Sequence, residues 1–142
     1  MLAKNKTLTI RAMKPEDFPT LRGFWREHGW DAPPELAMPV PYFLAVDDSG
    51  EIVAGEGLLV SKYNGLGMQE WLVTNPEADP KLTLKAMRLL DAMIEERARF
   101  ENCWALMSFC KQEGLAKIKQ RLGFERTDEG MIHLVKALYP QD

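Results

Sequence analysis

Cysteine and histidine are scarce: Cys103 and Cys110, His28 and His133, in 142 residues. No CxxC, HxxxH or HExxH spacing occurs, so the usual ligand sets for zinc are missing and no metal is expected. Cys103, inside Cys-Trp-Ala-Leu-Met, reads as a small buried hydrophobe, and a buried thiol is inert. A GxSxG elbow is absent, leaving Ser49, Ser61 and Ser108 as serines without the turn that would expose a nucleophile. GxxxxGK[ST] and GxGxxG are absent too, which excludes a Walker loop and a dinucleotide fingerprint. Positive charge is not in excess: 18 basic against 21 acidic residues give a net charge of −3. A nucleic-acid partner would call for a basic surface, so none is expected. Long apolar runs are missing as well. Stretches such as Tyr42–Val46 are far too short to cross a bilayer, and no membrane partner is expected. The opening Met-Leu-Ala-Lys-Asn-Lys-Thr has no apolar h-region, so the expected location is the cytoplasm.

What remains is an ordinary globular balance, 46% apolar and 27% charged, at a length that suits one domain over residues 1–142. Thr7–Met13 alternates apolar and polar residues and predicts a first strand. Lys14-Pro15-Glu16-Asp17 then starts a helix, with proline in the first turn and acids where the helix dipole favours them. Phe18, Leu21, Phe24 and Trp25 form its apolar stripe, which ends near His28-Gly29. Four prolines between Asp31 and Pro41 forbid a regular helix there. Tyr42–Val46, the turn Asp47-Asp-Ser-Gly50 and Glu51–Val60 predict a β-hairpin, with Gly55 and Gly57 marking a bulge or a close backbone approach. Asn64-Gly65 is a second turn, and Gly67–Thr74 a further strand. Asp79 suits an N-cap and Pro80 the first helical position. Leu82, Ala86, Leu89, Leu90 and Met93 share one face of a helix running to about Phe100. Cys103–Phe109 reads as a strand. Leu115, Ile118 and Leu122 place a short helix before Gly123, and Gly130–Leu138 reads as a closing strand. The predicted fold class is α/β (α+β), order β-α-β-β-β-α-β-α-β: one mixed, mainly antiparallel sheet flanked by helices.

Four segments in this order resemble the GNAT acyltransferase superfamily. Ile10-Arg-Ala-Met-Lys-Pro-Glu-Asp17 is similar to its opening strand and helix start. Phe43-Leu-Ala-Val-Asp-Asp-Ser-Gly-Glu-Ile-Val-Ala-Gly55 is similar to its central hairpin. Leu72-Val-Thr-Asn-Pro-Glu77 is similar to the end of its fourth strand, with one residue more than usual. Lys117-Ile-Lys-Gln-Arg-Leu-Gly-Phe-Glu125 is similar to its late helix. Trp71-Leu-Val-Thr74 running into a helix also resembles short phage-encoded GNAT-like proteins. The resemblance implies acetyl transfer from acetyl-coenzyme A to a small-molecule or protein amine. It equally leaves open a GNAT-fold protein without chemistry, working by binding in an assembly such as a phage particle.

In this family a glycine-rich turn at the start of the third helix presents backbone N–H groups to the cofactor's pyrophosphate. Aligned on Pro76-Glu77, the Arg/Gln position of that pattern is Asp79 here, and the three glycine positions are Pro80, Leu82 and Leu84. Pro80 has no N–H to give, and a carboxylate at Asp79 repels phosphate, so acetyl-coenzyme A is expected to bind weakly or not at all. If it binds, the resemblance gives it Leu72, Val73 and Thr74 at the strand end, and Lys81, Leu82, Thr83 and Lys85 at the helix start. Lys81, Lys85 and Arg88 form a basic stripe that could hold phosphates by side chains, or be a plain solvated face shared with Asp91 and Glu95.

Amine acetylation needs a base, donors for the oxyanion and an acid for the leaving thiolate. Glu70, mid-strand beside Trp71 and predicted to share a face with Leu72 and Thr74, is the first candidate base, and Glu56 the second. The resemblance puts Lys119 where family members often carry an acidic tyrosine, although an exposed lysine would not be tuned for that task. His28, Trp30 and Tyr63 are the candidate acceptor-binding residues beside the proline-rich loop.

Overall fold

A computed structural model of the chain describes residues 6–132, 134, 136 and 138. It divides into two compact units, Met1–Phe109 and Cys110–Asp142. The first unit holds β1 (Thr9–Ala12), α1 (Phe18–Glu27), β2 (Tyr42–Val46), β3 (Ile52–Ser61), β4 (Leu66–Thr74), α2 (Pro80–Phe100) and β5 (Ala105–Ser108). The second holds α3 (Glu113–Arg121). The five strands form one sheet in chain order, antiparallel from β1 to β4, with β5 parallel to β4. A parallel neighbour needs a crossover, and α2 supplies it.

Side-chain alternation sorts the unit into two cores. Phe43, Ala45, Ala54 and Leu58 pack on one side with Ala86, Leu90, Ile94 and Ala98 of α2. Tyr42, Leu44, Val46 and Val73 pack on the other with Phe18, Leu21, Phe24 and Trp25 of α1. Covered on both faces, β2 is buried at every residue, which is why it reads as a continuous apolar run. The helix starts follow local chemistry. The Asp17 carboxylate accepts from the Lys14 N–H at 2.8 Å and takes Arg11 in a two-pronged pair at 2.7 and 2.9 Å. The Arg11 guanidinium holds that carboxyl below its ordinary range. At α2, the Asp79 carboxylate accepts from the Lys81 N–H at 2.7 Å, and Pro80 fills the first position.

Two readings need correction. No described residue of 130–138 is in a strand, and Met131, Ile132, Leu134 and Leu138 are exposed; His133, Val135 and Ala137 lie outside the described residues. Alternation says which face a strand would bury, not that an edge pairs with it. Asp91, expected on a solvated face with Glu95, is buried, because the Gln69 amide of β4 lies opposite and donates to it at 2.8 Å.

Candidate functional site

The glycines of β3 make room for one ring. A Cβ at Gly55 would stand 2.6 Å from Cε1 of Tyr42, and one at Gly57 2.6 Å from Cγ of Pro39 and 2.8 Å from Cδ2 of Tyr42. Tyr42 therefore lies buried across both, and its hydroxyl donates to the Trp71 carbonyl at 2.7 Å. Burial, with the nearby Glu56 carboxylate adding to it, pushes the Tyr42 hydroxyl well above its ordinary range, so it stays a donor.

That bond holds an irregular point. Between β3 and β4 the register moves two residues on β3, Gly55 to Gly57, but three on β4, Val73 to Glu70. The extra residue makes a bulge on β4 at Trp71-Leu72, and Trp71 sits there at φ 58°. A bulky residue in the left-handed region is strained, by about 1–2 kcal/mol. The Tyr42 bond and the edge-on contact of the Trp71 ring with Trp25, 6.4 Å between centroids, hold it in place. The bulge follows directly on the end of the β4–β5 ladder. The last pair is Gln69 with Ser108, and β4 continues to Thr74 past the end of β5.

The bulge also reassigns the candidate bases. Glu70 pairs with Gly57 and Val73 with Gly55, so Glu70 shares its face with Val73 and not with Leu72 and Thr74 as the simple alternation predicts. That is the face toward α1. Glu56 pairs with Phe43 on the α2 side and is buried. The two carboxylates thus lie on opposite faces of the sheet, half-buried Glu70 next to the bulge on β4 and buried Glu56 across from it on β3. Lys119, expected as a surface lysine, is buried in the second unit, with its ammonium 5.6 Å from the centre of the Phe124 ring. That ring gives the cation a partner that helical spacing alone does not show.

Of the acceptor residues, His28 and Trp30 come together and Tyr63 does not join them. The rings of His28 and Trp30 stack with centroids 4.4 Å apart. His28 Nε2 lies 2.9 Å from the Thr74 carbonyl, which can only accept, so Nε2 carries the proton. Tyr63 is fully exposed in the turn between β3 and β4. The length of β4 separates it from Thr74, roughly 25 Å at the rise of an extended strand.

The start of α2 is closed upon itself. Asn75 Oδ1 accepts from the Glu77 N–H at 3.0 Å, and the Asn75 carbonyl from the Ala78 N–H at 3.1 Å. Asp79 occupies the Lys81 N–H through its carboxylate and the Thr83 N–H through its carbonyl. With Pro80 lacking an N–H and the Lys81 N–H taken by Asp79, two of the first-turn positions offer an anion no free backbone donor. Leu82 is half-buried against the α2-side core, Thr83 is half-buried, and Val73 is buried on the α1 side. Leu72 and Thr74 are half-buried at the strand end. Lys81, Lys85 and Arg88 are exposed and make no ion pair among the described residues. Replacing Asp79 by Ala is expected to lower stability by about 1 kcal/mol, the worth of an N-cap, in urea unfolding. An unchanged midpoint would mean the cap is not made in solution.

Tyr42 and Asp91 were not anticipated as parts of this region. The closely spaced Gly55 and Gly57 were the available signal for Tyr42, since they announce that something crowds the backbone. Among the described residues no group of three or more His, Cys, Asp or Glu could hold a metal ion, and no helix is long and apolar enough to cross a membrane.

No protein-family model matches the chain, and no curated protein sequence does. Solved structures do. A GNAT superfamily phosphinothricin acetyltransferase from Sinorhizobium meliloti, in complex with acetyl-coenzyme A, superposes with a TM-score of 0.67 at 19% identity, over 84% of this chain and 75% of that one. The aminoglycoside N-acetyltransferase AAC(6′)-Iy, bound to a coenzyme A bisubstrate analogue, gives 0.64 at 20% identity over 92% and 99%. An acetyltransferase from Trypanosoma brucei gives 0.63 at 17% identity over 91% and 100%. With its mainly antiparallel sheet flanked by helices, the chain has the fold of the GNAT acetyltransferases.

Proposed function

We propose that the chain, taken as one domain over residues 1–142, is a GNAT-type acyltransferase that moves an acetyl group from a coenzyme A thioester to an amine. The observation that carries this reading is the bulge at Trp71-Leu72, placed where β4 runs on beyond the end of β5. There the strand leaves regular pairing, and Glu70 stands beside it as a half-buried carboxylate suited to take a proton from the acceptor ammonium. The solved neighbours that bind coenzyme A or acetyl-coenzyme A support the donor class, and those named for aminoglycosides or amino-acid products support a small-molecule acceptor. Since Pro80 has no N–H and Asp79 takes the Lys81 N–H, phosphate contacts would fall mainly to the side chains of Lys81, Lys85 and Arg88.

One observation favours a second reading. The self-capped start of α2 suits a GNAT-fold protein that binds a partner without transferring a group. The first reading places the protein in the cytoplasm, the second in an assembly such as a phage particle. Calorimetric titration with acetyl-coenzyme A is expected to give a dissociation constant of about 0.1 mM or weaker. A low-micromolar constant would show that the turn opens and that the cap does not obstruct the donor. Thiol release from millimolar acetyl-coenzyme A with a panel of amines then decides the chemistry. Release above the protein-free rate supports the enzyme, and none with any amine sinks it.

A further inference from the structure

The geometry points to an amine-recognition patch at the C-terminal end of α1, formed by Trp30 and Trp71, that takes an organic ammonium with an aromatic or other flat apolar body. The inference rests on the acyltransferase reading for the identity of its ligand as the acceptor, but the patch itself stands on contacts that need no chemistry.

Those contacts close a ring. The Trp71 ring meets Trp25 edge-on at 6.4 Å. The Trp25 carbonyl accepts from the backbone N–H of Trp30 at 2.9 Å. Trp30 stacks on His28 at 4.4 Å, and His28 donates to the Thr74 carbonyl at 2.9 Å, three residues along β4 from Trp71. Trp25 is buried, while Trp71 is 38% and Trp30 42% exposed. Two indoles are thus fixed and yet left open to solvent. Such ring faces are attractive to a cation and to a flat apolar body. The positive-φ conformation of Trp71 adds to this. A strained backbone persists where the surroundings over-determine it, and here the Tyr42 hydroxyl and Trp25 do so.

The chain beside the patch is acidic. From Glu27 to Tyr42 it has three carboxylates and no lysine or arginine. Glu27, Asp31 and Glu35 lie within that stretch beside the patch in sequence and are exposed, and Glu70 precedes Trp71. The C-terminal end of α1, capped by His28, contributes the negative pole of the helix. Arg26 is the nearest basic residue in sequence, and Arg22 sits over the Phe18 ring. An anionic ligand would meet repulsion here. A neutral aromatic would gain the stacking but nothing from the carboxylates.

The test uses the whole chain labelled with 15N, observing the four indole N–H resonances. The probes are 2-phenylethylammonium, 2-phenylethanol and 3-phenylpropionate, which share a phenyl group and differ in charge. The ammonium is expected to move the Trp30 and Trp71 resonances and to bind about tenfold more tightly than either analogue. Trp30→Leu should weaken it about fivefold and Trp30→Phe by less, while Trp104→Leu should leave it within about twofold. Trp104 is a fair control because it donates to the Asn64 carbonyl at the opposite end of β4. Equal binding of the three probes, shifts confined to Trp104, or no shift at millimolar probe would each overturn the patch. The outcome is separable from the proposed chemistry. Ammonium binding at Trp30 and Trp71 without thiol release overturns the transferase and keeps the patch. Thiol release with an amine that leaves both indoles unmoved does the reverse.

Discussion

Replacing Gly55 by Ala is expected to destabilise the protein by about 2–3 kcal/mol, a fall in melting temperature of roughly 5–10 °C. The added methyl would lie 2.6 Å from Cε1 and 3.0 Å from the hydroxyl of Tyr42, and 2.9 Å from Cδ2 of Leu44. Neither neighbour has an easy retreat. Tyr42 and Leu44 are both buried in the core against α1, and the Tyr42 hydroxyl is fixed by the Trp71 carbonyl. A shift of that ring would loosen the bulge as well, so the Trp71 and Trp25 indole resonances should move together. Gly23→Ala supplies the comparison. Gly23 lies within α1 with nothing within 4 Å of an added Cβ, and the exchange should be neutral or stabilising by up to about 1 kcal/mol. Thermal or urea melts of the two variants decide the matter. If Gly55→Ala melted within about 0.5 kcal/mol of the parent, the packing of Tyr42 over β3 would be wrong.

What could be read from the sequence was whatever depends on neighbours along the chain. The apolar run Tyr42–Val46, the Asp-Asp-Ser-Gly turn and the glycines at 55 and 57 define the hairpin. Asp79 and Pro80 mark the start of α2, and the stripe through Ala86 and Leu90 marks its buried face. What could not be read depends on partners distant in sequence. Nothing in the residues around Trp71 announces a left-handed backbone, since glycine or asparagine would be the usual signal. The bulge it makes then shifts Glu70 off the face that simple alternation gives it. Asp91 looked like one more charge on a polar helix face until Gln69, 22 positions earlier, met it inside. Tyr63 looked eligible for the acceptor site because sequence gives residue types without the length of β4 between them. The Asp79 cap is legible from the residue and its place before Pro80, and its bond to the Lys81 N–H bears it out, whereas nothing in the sequence announces the second closure by Asn75.

Those closures give the last prediction its form. In the triple variant Asp79→Arg, Pro80→Gly, Leu82→Gly, affinity for coenzyme A is expected to rise about tenfold or more, equivalent to about 1.4 kcal/mol. Each change has a separate cause. Removing the Asp79 carboxylate releases the Lys81 N–H and takes a negative charge from the positive pole of α2. Glycine at position 80 restores an N–H, and glycine at 82 lets the backbone approach an anion. Arginine at 79 joins Lys81, Lys85 and Arg88 in a cationic rim. Stability should fall by roughly 1–3 kcal/mol, because the cap is lost and two glycines enter the first turn. The loss should fall toward the upper end, since Leu82 packs against the α2-side core. The gain in affinity is bounded too. The Glu77 and Ala78 N–H groups stay bound to Asn75, so only the amides of residues 80 and 81 are gained. Calorimetry on the folded variant reads both terms, with a melt to confirm that it is folded. A folded variant with no gain would locate the obstruction away from the turn. It would then be the irregular strand itself, with Trp71 held over Trp25, that keeps the donor out, and binding at the Trp30–Trp71 patch would be the activity left to pursue.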